Sequence, residues 1–468
     1  MTRISPSIQV TRHEQAIVAL CTPQGPGAIA LIRLSGVDAI SVADNMASLP
    51  TGKSLSDQKS HTIHFGYVID KARKHIDQVL FLLMHGPRTF TGQDVVEITC
   101  HNNQFLIEAI IDRALECGAR LAGNGEFAQR AVLNGKMDLL QAEGMNDLIH
   151  AQSSESLKYS LQQLEGSFSS WITKIEKMVV HMLAFCEASF EFLDEEMEFA
   201  QDICNQMHEL INKVEELLAT YSKQQYIKEG VRIALVGSVN AGKSSLFNCL
   251  VNKKRAIVTN IAGTTRDIVE SGVYKSGGFL TFVDTAGIRQ TSDIIEKEGI
   301  DRSFKESKSA DIVLLVVDRS SELSSEQLLE YQKMLNSHAN KVIVVFNKAD
   351  LPDNVSGQLS VDKSVPTVHV SAKEQVQIDR LQEMLDVKMK ELKEVGNLSG
   401  LLNGRQYSLL QKFLCQLKDI VPMLQHPVQY ELLAYHLRAS LQLLSEVTGR
   451  HVSEAAMDQV FKSFCVGK

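Results

Sequence analysis

The sequence predicts a chain of mixed architecture: an α+β module at the N-terminus, a helical region in two pieces, and an α/β unit with a mostly parallel sheet inserted between those pieces. Three observations carry this. Short β-branched runs crowd the early part of the chain, a long stretch from Gly166 to Gly230 holds no internal glycine or proline, and strand-like runs alternate with helix-forming sequence after Gly230.

In the first module the runs "QAIVAL", "AIALIRLSG", "HTIHFGYVI" and "QVLFLLM" have strand length, and "FLIEAIIDRALECG" has helical spacing closed by Gly118. In the stretch that follows, Trp171, Ile175, Met178, Met182 and Phe185 recur at alternating steps of four and three, which predicts a long helix with this stripe buried. The acidic residues Glu187, Glu191, Asp194, Glu195, Glu196 and Glu198 read as a solvated face or loop, and Ile203, Met207, Leu210, Val214 and Leu217 mark a second helix. The strands "VRIALVG", "FLTFVD", "DIVLLVVD" and "KVIVVFN" then give the βα alternation of a parallel sheet. Helical sequence returns in "IDRLQEMLDVKMKEL", "YSLLQKFLCQL" and "ELLAYHLRASLQLLSEV". If the α/β unit is inserted, the helical pieces on either side of it should pack together.

Composition narrows the function classes. A net charge of -8 and a pI of about 6.0 exclude a grip on nucleic acid by the whole surface, though not by a local patch. No run approaches the length of a membrane span, and the first residues lack the order of a secretory signal, so the chain reads as cytoplasmic. Eight cysteines without a CxxC pair predict reduced, mostly buried thiols.

"GSVNAGKS" fits the phosphate-loop pattern G-x-x-x-x-G-K-[ST] from Gly237 through Gly242, Lys243 and Ser244, after a strand and before a helix. Backbone N–H groups of such a turn, with Asn240, Ala241 and Ser245 along it, receive phosphate oxygens; Lys243 supplies a cation and Ser244 a hydroxyl for Mg2+. "DTAG" (Asp284, Thr285, Ala286, Gly287) places a carboxylate toward magnesium and a backbone N–H toward a γ-phosphate. "NKAD" (Asn347, Lys348, Asp350) sets Asp350 to accept from the guanine N1–H and amino group, a donor pair adenine lacks, and "SAK" (Ser371, Ala372, Lys373) supports the base. The set predicts a Ras-like α/β P-loop GTPase domain with GTP as substrate. In "TNIAGTTRD", Thr264 and Thr265 are candidate switch hydroxyls, Thr265 the better one to complete the Mg2+ shell.

Ile288 follows "DTAG" and cannot orient water, so hydrolysis must be organised by other groups. Asn240 can direct its side-chain oxygen to a monovalent cation beside the β/γ-phosphates, and Glu296 can position the attacking water, with Glu298 and Asp293 as alternatives in the same region.

Taken with "TPQGPGAIALIRLSG", "TGQDVVEITCH", "GEFAQRAVLNGKMDLLQAE", "GTTRD", "DTAGIR" and the terminal "FCVGK", the whole chain resembles the MnmE (TrmE) family of tRNA modification GTPases. The resemblance implies residues 1–122 as a tetrahydrofolate-binding and homodimerisation domain, 123–226 and 379–468 as two parts of a helical domain, and 227–378 as the G domain. It implies K+-stimulated GTP hydrolysis. With an FAD-containing MnmG-like partner, this would be coupled to placing an aminomethyl or carboxymethylaminomethyl group on the wobble uridine of tRNA. The one-carbon unit would come from 5-formyl- or 5,10-methylene-tetrahydrofolate. By the same resemblance Arg33, Glu97, Lys136 and Lys468 belong to the folate site, Glu296 is the catalytic group, and Asn240, Thr259, Ile261 (through its carbonyl) and Thr264 hold K+. Cys465 is open between two roles, a small buried apolar residue near Phe461 and Phe464 and a participant in the chemistry. Departures from the family pattern fall at Pro26, Asn102 and Asn103, near the folate loops. The competing functional reading is a ribosome-assembly or RNA-binding switch GTPase; a membrane-deforming GTPase would need an exposed apolar or strongly basic helix face, and none is evident.

Overall fold

The computed structural model describes residues 14–151, 153–188, 196–252, 258–259, 269–275, 278–284, 310–355, 357–394, 400–425 and 428–467; for 196–199, 251–252, 258–284 and 454–455 only the backbone course is described. The chain divides into two compact units. One comprises Met1–Asn146, Gln163–Leu210 and Ser408–Lys468, the other Asp147–Gln162 and Ile211–Tyr407.

The first unit is built on a seven-stranded sheet of β1 (Ile17–Leu20), β2 (Ile29–Ser35), β3 (Ala47–Ser48), β4 (Thr62–Ile69), β5 (His75–Met84), β6 (Val95–His101) and β7 (Arg120–Leu121), in the order β3-β4-β5-β6-β2-β1-β7. Every pairing is antiparallel except β1 with β7. Alternation sorts the side chains: Val79, Phe81 and Leu83 of β5 turn into the core, whereas Gln78 and Leu80 on the opposite face are exposed. The helices Ala39–Asp44 and Gln104–Glu116 cover that buried face through Ala39, Ala43, Ile107, Ile110 and Ala114. Asn103 caps the second of them, its side chain accepting from Phe105 N at 3.0 Å.

A helical layer belongs to the same unit. The helix Ser167–Ala188 forms as its spacing requires, but its deepest stripe is Phe168, Ile172, Ile175, Val179, Met182 and Cys186. Trp171, Met178 and Phe185 are half-buried, which corrects the stripe read from the sequence. The two stripes share Ile175 and Met182. Packing against the helix Tyr430–Thr448 turns the face toward the smaller residues and leaves the large ones along the flank. Glu187 lies exposed and bonds Arg438, while the remainder of the acidic run falls outside the described side chains. The terminal helix Glu454–Phe461 buries Met457 and Phe461 against Ala128, Leu139 and Ala142 of the helices Glu126–Leu133 and Leu139–His150.

The second unit holds a seven-stranded sheet of β8 (Val231–Val236), β9 (Val258–Thr259), β10 (Val269–Lys275), β11 (Gly278–Asp284), β12 (Ile312–Asp318), β13 (Val342–Asn347) and β14 (Thr367–His369), ordered β14-β13-β12-β8-β11-β10-β9. From β14 to β11 all neighbours are parallel, and β10 and β9 extend the edge antiparallel. Both faces are covered, as near-continuous apolar strands demand. Val231, Ile233 and Leu235 face Leu246, Phe247 and Leu250 of the helix Lys243–Asn252 and Leu381, Leu385 and Met389 of the helix Ile378–Lys393. Ala234 and Val236 face Tyr331, Met334 and Leu335 of the helix Ser325–His338.

All eight cysteines are free thiols. Only Cys100 and Cys186 are buried, so the expectation of mostly buried thiols is corrected; burial pushes these two up to about 11 and about 12. No helix among the described residues is long and apolar enough to cross a membrane.

Candidate functional site

β8 ends at Val236 and the chain turns through Gly237–Gly242 into the helix Lys243–Asn252, so the helix N-terminus and the loop N–H groups face one concavity beyond the carboxyl ends of the parallel strands. Gly242 has φ +90°, and a Cβ there would come within 2.1 Å of Asn347 Nδ2, so only glycine closes this turn without displacing its neighbour. Asn240 also takes a positive φ, of 63°, at the exposed tip. Lys243 is buried and its Nζ donates to Gly237 O (2.9 Å) and Ser238 O (2.8 Å), drawing the ammonium across the loop. Ser244 and Ser245 are exposed at the first turn of the helix. Ser238 N donates to the Tyr331 hydroxyl at 2.9 Å, which fixes the loop from beneath.

Asn347, at the end of β13, is 2% exposed and joins two loops: its Nδ2 donates to Ala241 O at 2.8 Å and its Oδ1 accepts from Ala372 N at 3.0 Å. The phosphate loop and the Ser371–Lys373 loop are thereby held by one side chain. Cys249 adds a second tie, its thiol donating to Ala372 O at 3.0 Å. Lys348 stands at φ 63° and binds Asp318, at the end of β12, at 2.6 Å. Burial alone would raise the Asp318 carboxyl, but hydrogen bonds from Lys348 and Ser320 outweigh it and hold the group below its usual range. The exposed Asp350 carboxyl is lowered by a hydrogen bond from the Ser371 hydroxyl, with a smaller contribution from its own backbone N–H, so it stays ionised and able to accept from two donors. On the other side of β8, Asp284 pairs in register with Leu235, one strand from the phosphate loop.

In the first unit, Arg33 of β2 and Glu97 of β6 are register partners. Arg33 Nε and Nη2 both reach Glu97 Oε1 at 2.8 Å, leaving Oε2 as an acceptor, and the pair is only 19% and 17% exposed. The guanidinium lies 5.6 Å from the ring centroids of both Phe90 and Phe127, so two aromatic faces and a charge pair converge. Lys136 is exposed and donates to Pro87 O at 2.7 Å, on the loop that carries Phe90. The chain terminus comes to the same sheet: Gly125 N donates to Cys465 O (3.3 Å), Val466 bridges Asn124, and the Cys21 thiol donates to Gly467 O (3.1 Å) just beyond β1. Gly125 has φ +63°, and a Cβ would sit 2.8 Å from Phe464 Cβ, so this glycine lets the terminal segment approach. Cys465 itself is exposed, which corrects its reading as a buried apolar residue; Phe461 and Phe464 are the buried members of "FCVGK" and its helix.

The profile of the MnmE helical domain matches residues 139–465 and that of the GTP-binding protein TrmE N-terminus residues 16–136. The tRNA modification GTPase MnmE of Geobacillus thermodenitrificans is 37% identical over 459 residues, covering 97% of this chain and 99% of its own. The chain belongs to the MnmE (TrmE) family. A Bacillus subtilis MnmE is 36% identical with the same coverage. The solved G domain of the T. maritima FeoB iron transporter is 27% identical, covers 35% of this chain and 99% of its own, and superposes with a TM-score of 0.25, too low for a comparison of folds.

Among the residues expected to serve the site of this MnmE-family chain, the structure brings Gly237, Asn240, Ala241, Gly242, Lys243, Ser244, Ser245, Asn347, Lys348, Asp350, Ser371, Ala372 and Lys373 to one end of the parallel sheet. Arg33 and Glu97 meet directly, and Lys136 meets the neighbouring loop. Asp284 and Thr259 are placed by backbone only; Thr285, Ala286, Gly287, Ile261, Thr264, Thr265, Glu296 and Lys468 lie outside the described residues. The departures have local roles: Asn102 Nδ2 donates to Gly25 O at 2.7 Å, next to Pro26, and Asn103 is the helix cap.

Sequence reasoning missed the partners that hold these groups. Glu126 accepts from both Nη atoms of Arg120, from Gly123 N (2.9 Å) and from Arg130 (3.2 Å). Arg130, 1% exposed, also donates to Ser35 O, Gln15 O and Gln93 Oε1, tying the helix that carries Phe127 to β2 and to the Phe90 loop. Their i, i+4 spacing within "GEFAQR" was the available signal. Nothing local to Asp318, Phe90 or Cys21 announces a role.

Proposed function

We propose that this chain is a GTPase of tRNA modification, and the observation that carries the proposal is the pair of hydrogen bonds made by Asn347, which ties the Gly237–Gly242 loop to the Ser371–Lys373 loop. A guanine between Asp350 and the Ser371–Lys373 loop meets an ionised carboxylate that matches its N1–H and amino group; adenine offers no such donor pair and forgoes both hydrogen bonds. Lys243, released from its two carbonyls, supplies charge to the β/γ-phosphates, and Ser244 with Thr265 supplies oxygens to Mg2+. Asn240 offers an oxygen from the loop tip toward K+, with Thr259, Ile261 and Thr264 completing that set, and Glu296 positions the attacking water.

In the same reading, residues 1–122 bind the tetrahydrofolate and pair two copies of the chain, and residues 123–226 and 379–468 form the helical domain apart from the helix Ile378–Lys393, which packs on the parallel sheet and goes with residues 227–378 as the G domain. Glu97 faces the donor edge of the pterin, while Arg33, Lys136 and Lys468 offer cations to its acceptor edge and acidic tail. Cys465, exposed beside this sheet, is assigned to the one-carbon or uridine chemistry. The substrate is the carbon-5 position of the tRNA wobble uridine, modified with an FAD-containing MnmG-like partner. GTP hydrolysis measured in KCl against NaCl tests the hydrolytic part. The expected result is K+ stimulation in the wild type, and severe loss in Glu296→Ala with guanine-nucleotide binding retained. Equal rates in the two salts, or equal binding of ATP and GTP, refute it.

A further inference from the structure

Tyr331 lies 93 residues beyond Ser238 and belongs to none of the nucleotide motifs, yet its hydroxyl meets the phosphate loop. The helix Ser325–His338 sets its ring in the apolar cluster of Ala234, Val236, Leu315 and Val317, where the residue is 4% exposed. Close packing leaves such a ring no alternative rotamer, so the hydroxyl is a fixed point under the loop. It accepts from Ser238 N at 2.9 Å and, among the described residues, bonds Ser238 alone. Burial pushes the phenol above its ordinary range, so it stays neutral and brings no negative charge toward a bound phosphate.

The N–H of Ser238 and the carbonyl of Gly237 are opposite edges of one planar peptide group. Tyr331 holds the first edge, and Lys243 Nζ, donating to Gly237 O at 2.9 Å, holds the second. Gly237 is also pressed against β12: a Cβ there would lie 2.1 Å from Val316 O, so the plane has little room to shift that way. The second carbonyl on the ammonium, Ser238 O at 2.8 Å, accepts from Ala241 N at 3.3 Å and has its own support. A nucleotide that draws Lys243 onto its phosphates removes one of the two holds on the Gly237–Ser238 peptide and leaves Tyr331 as the other. We propose that Tyr331 is a positioning residue for phosphate binding: it keeps this peptide in place when Lys243 moves from Gly237 O to the β/γ-phosphates. This rests on the phosphate-loop reading above and adds a residue from outside the motif. In the empty loop two groups share the hold, so the Tyr331 bond contributes most when a β-phosphate is bound. GMP, which offers no β-phosphate, leaves the ammonium on its carbonyls.

Competition against a fluorescent GDP analogue, with the full chain and with Tyr331→Phe, reads the affinities for GMP, GDP and a non-hydrolysable GTP analogue. Phenylalanine keeps the ring in its cluster, and circular dichroism verifies that the helices are retained. The variant should bind GDP and the GTP analogue about tenfold more weakly, the loss of one hydrogen bond that leaves an N–H unpaired, and GMP within about twofold of wild type. In hydrolysis assays the KM for GTP should rise about tenfold with kcat within about twofold, because the bond is present in the bound ground state and the transition state alike. Equal weakening for all three nucleotides makes Tyr331 a general support of the fold and overturns the inference. So do unchanged affinities for GDP and the GTP analogue. If wild type binds GMP as tightly as GDP, the phosphate-loop reading itself fails and the inference falls with it.

Discussion

Replacing Asn347 with alanine is the sharpest test of how the nucleotide site is held together. The side chain is almost fully buried and satisfies two backbone groups of buried residues, Ala241 O and Ala372 N. Removing it deletes both hydrogen bonds and strands both partners, at about 1–3 kcal/mol per stranded group less whatever local relaxation recovers, so about 2–4 kcal/mol in all. Asn347→Asp discriminates the mechanism. It keeps an acceptor for Ala372 N but turns a carboxylate oxygen toward Ala241 O, so it should be at least as damaging as alanine although its volume is nearly unchanged. Hydrogen exchange of the peptide around Ala372 reads the lost bond directly, and dissociation of a fluorescent GDP analogue reads its consequence. Each 1.4 kcal/mol of lost order is about tenfold in affinity. Trp171, the single tryptophan, lies in the other unit, so retained helix content by circular dichroism, rather than its fluorescence, shows that the unit holding Asn347 stays folded. Unaltered exchange at Ala372, with unaltered GDP dissociation in both variants, would refute the role assigned to this residue.

Further outcomes follow from the same structure. Burial raises the Glu126 carboxyl, but the Arg120 and Gly123 hydrogen bonds and the Arg130 charge overcome this and lower it below 4.5. The native state then binds fewer protons than the unfolded one, so this group's stabilisation is complete above about pH 4.5 and is lost as pH falls through the lowered value. In Glu126→Gln that acid-limb slope of denaturation midpoint against pH should flatten, and an unchanged slope would contradict the network. Phe461→Ala, which empties a fully buried ring site between helices of the first unit, should cost about 3–5 kcal/mol in urea unfolding followed by Trp171 fluorescence; a loss under 1 kcal/mol would mean that the terminal helix contributes little to that core. Gly242→Ala should abolish guanine-nucleotide binding while the helix content by circular dichroism is kept, because the added methyl drives into Asn347.

How much of this was legible beforehand differs by feature. Strands such as Val231–Val236 and Ile312–Asp318 were readable because burial on both faces leaves a continuous apolar run, and the helix Glu196–Ala219 because Ile203, Met207, Leu210, Val214 and Leu217 all turn inward. The phosphate loop was readable because its chemistry is local: glycines, a lysine and a serine contiguous in the chain. The stripe of the helix Ser167–Ala188 was misplaced because two heptad-like rows share Ile175 and Met182, and only the partner helix selects between them. Arg33 was placed only by family likeness, and nothing in the sequence joined it to Phe90 and Phe127.

By itself, then, the sequence determined the longer apolar strands, the amphipathic helices and which chemical groups are present, though not the strands Ala47–Ser48, Arg120–Leu121, Val269–Lys275 and Thr367–His369, since periodicity and contiguous motifs express preferences that act within one or two turns of chain. Tertiary structure alone decided that Asn347 joins Ala241 to Ala372, which lie 106 residues before it and 25 after, that Cys21 meets Gly467 across 446 residues, and that Glu126 and Arg130 anchor the Phe90 and Phe127 surfaces. Such contacts exist because packing closes loops whose ends carry no mark of one another, and a side chain's partner is settled by where the folded backbone brings it.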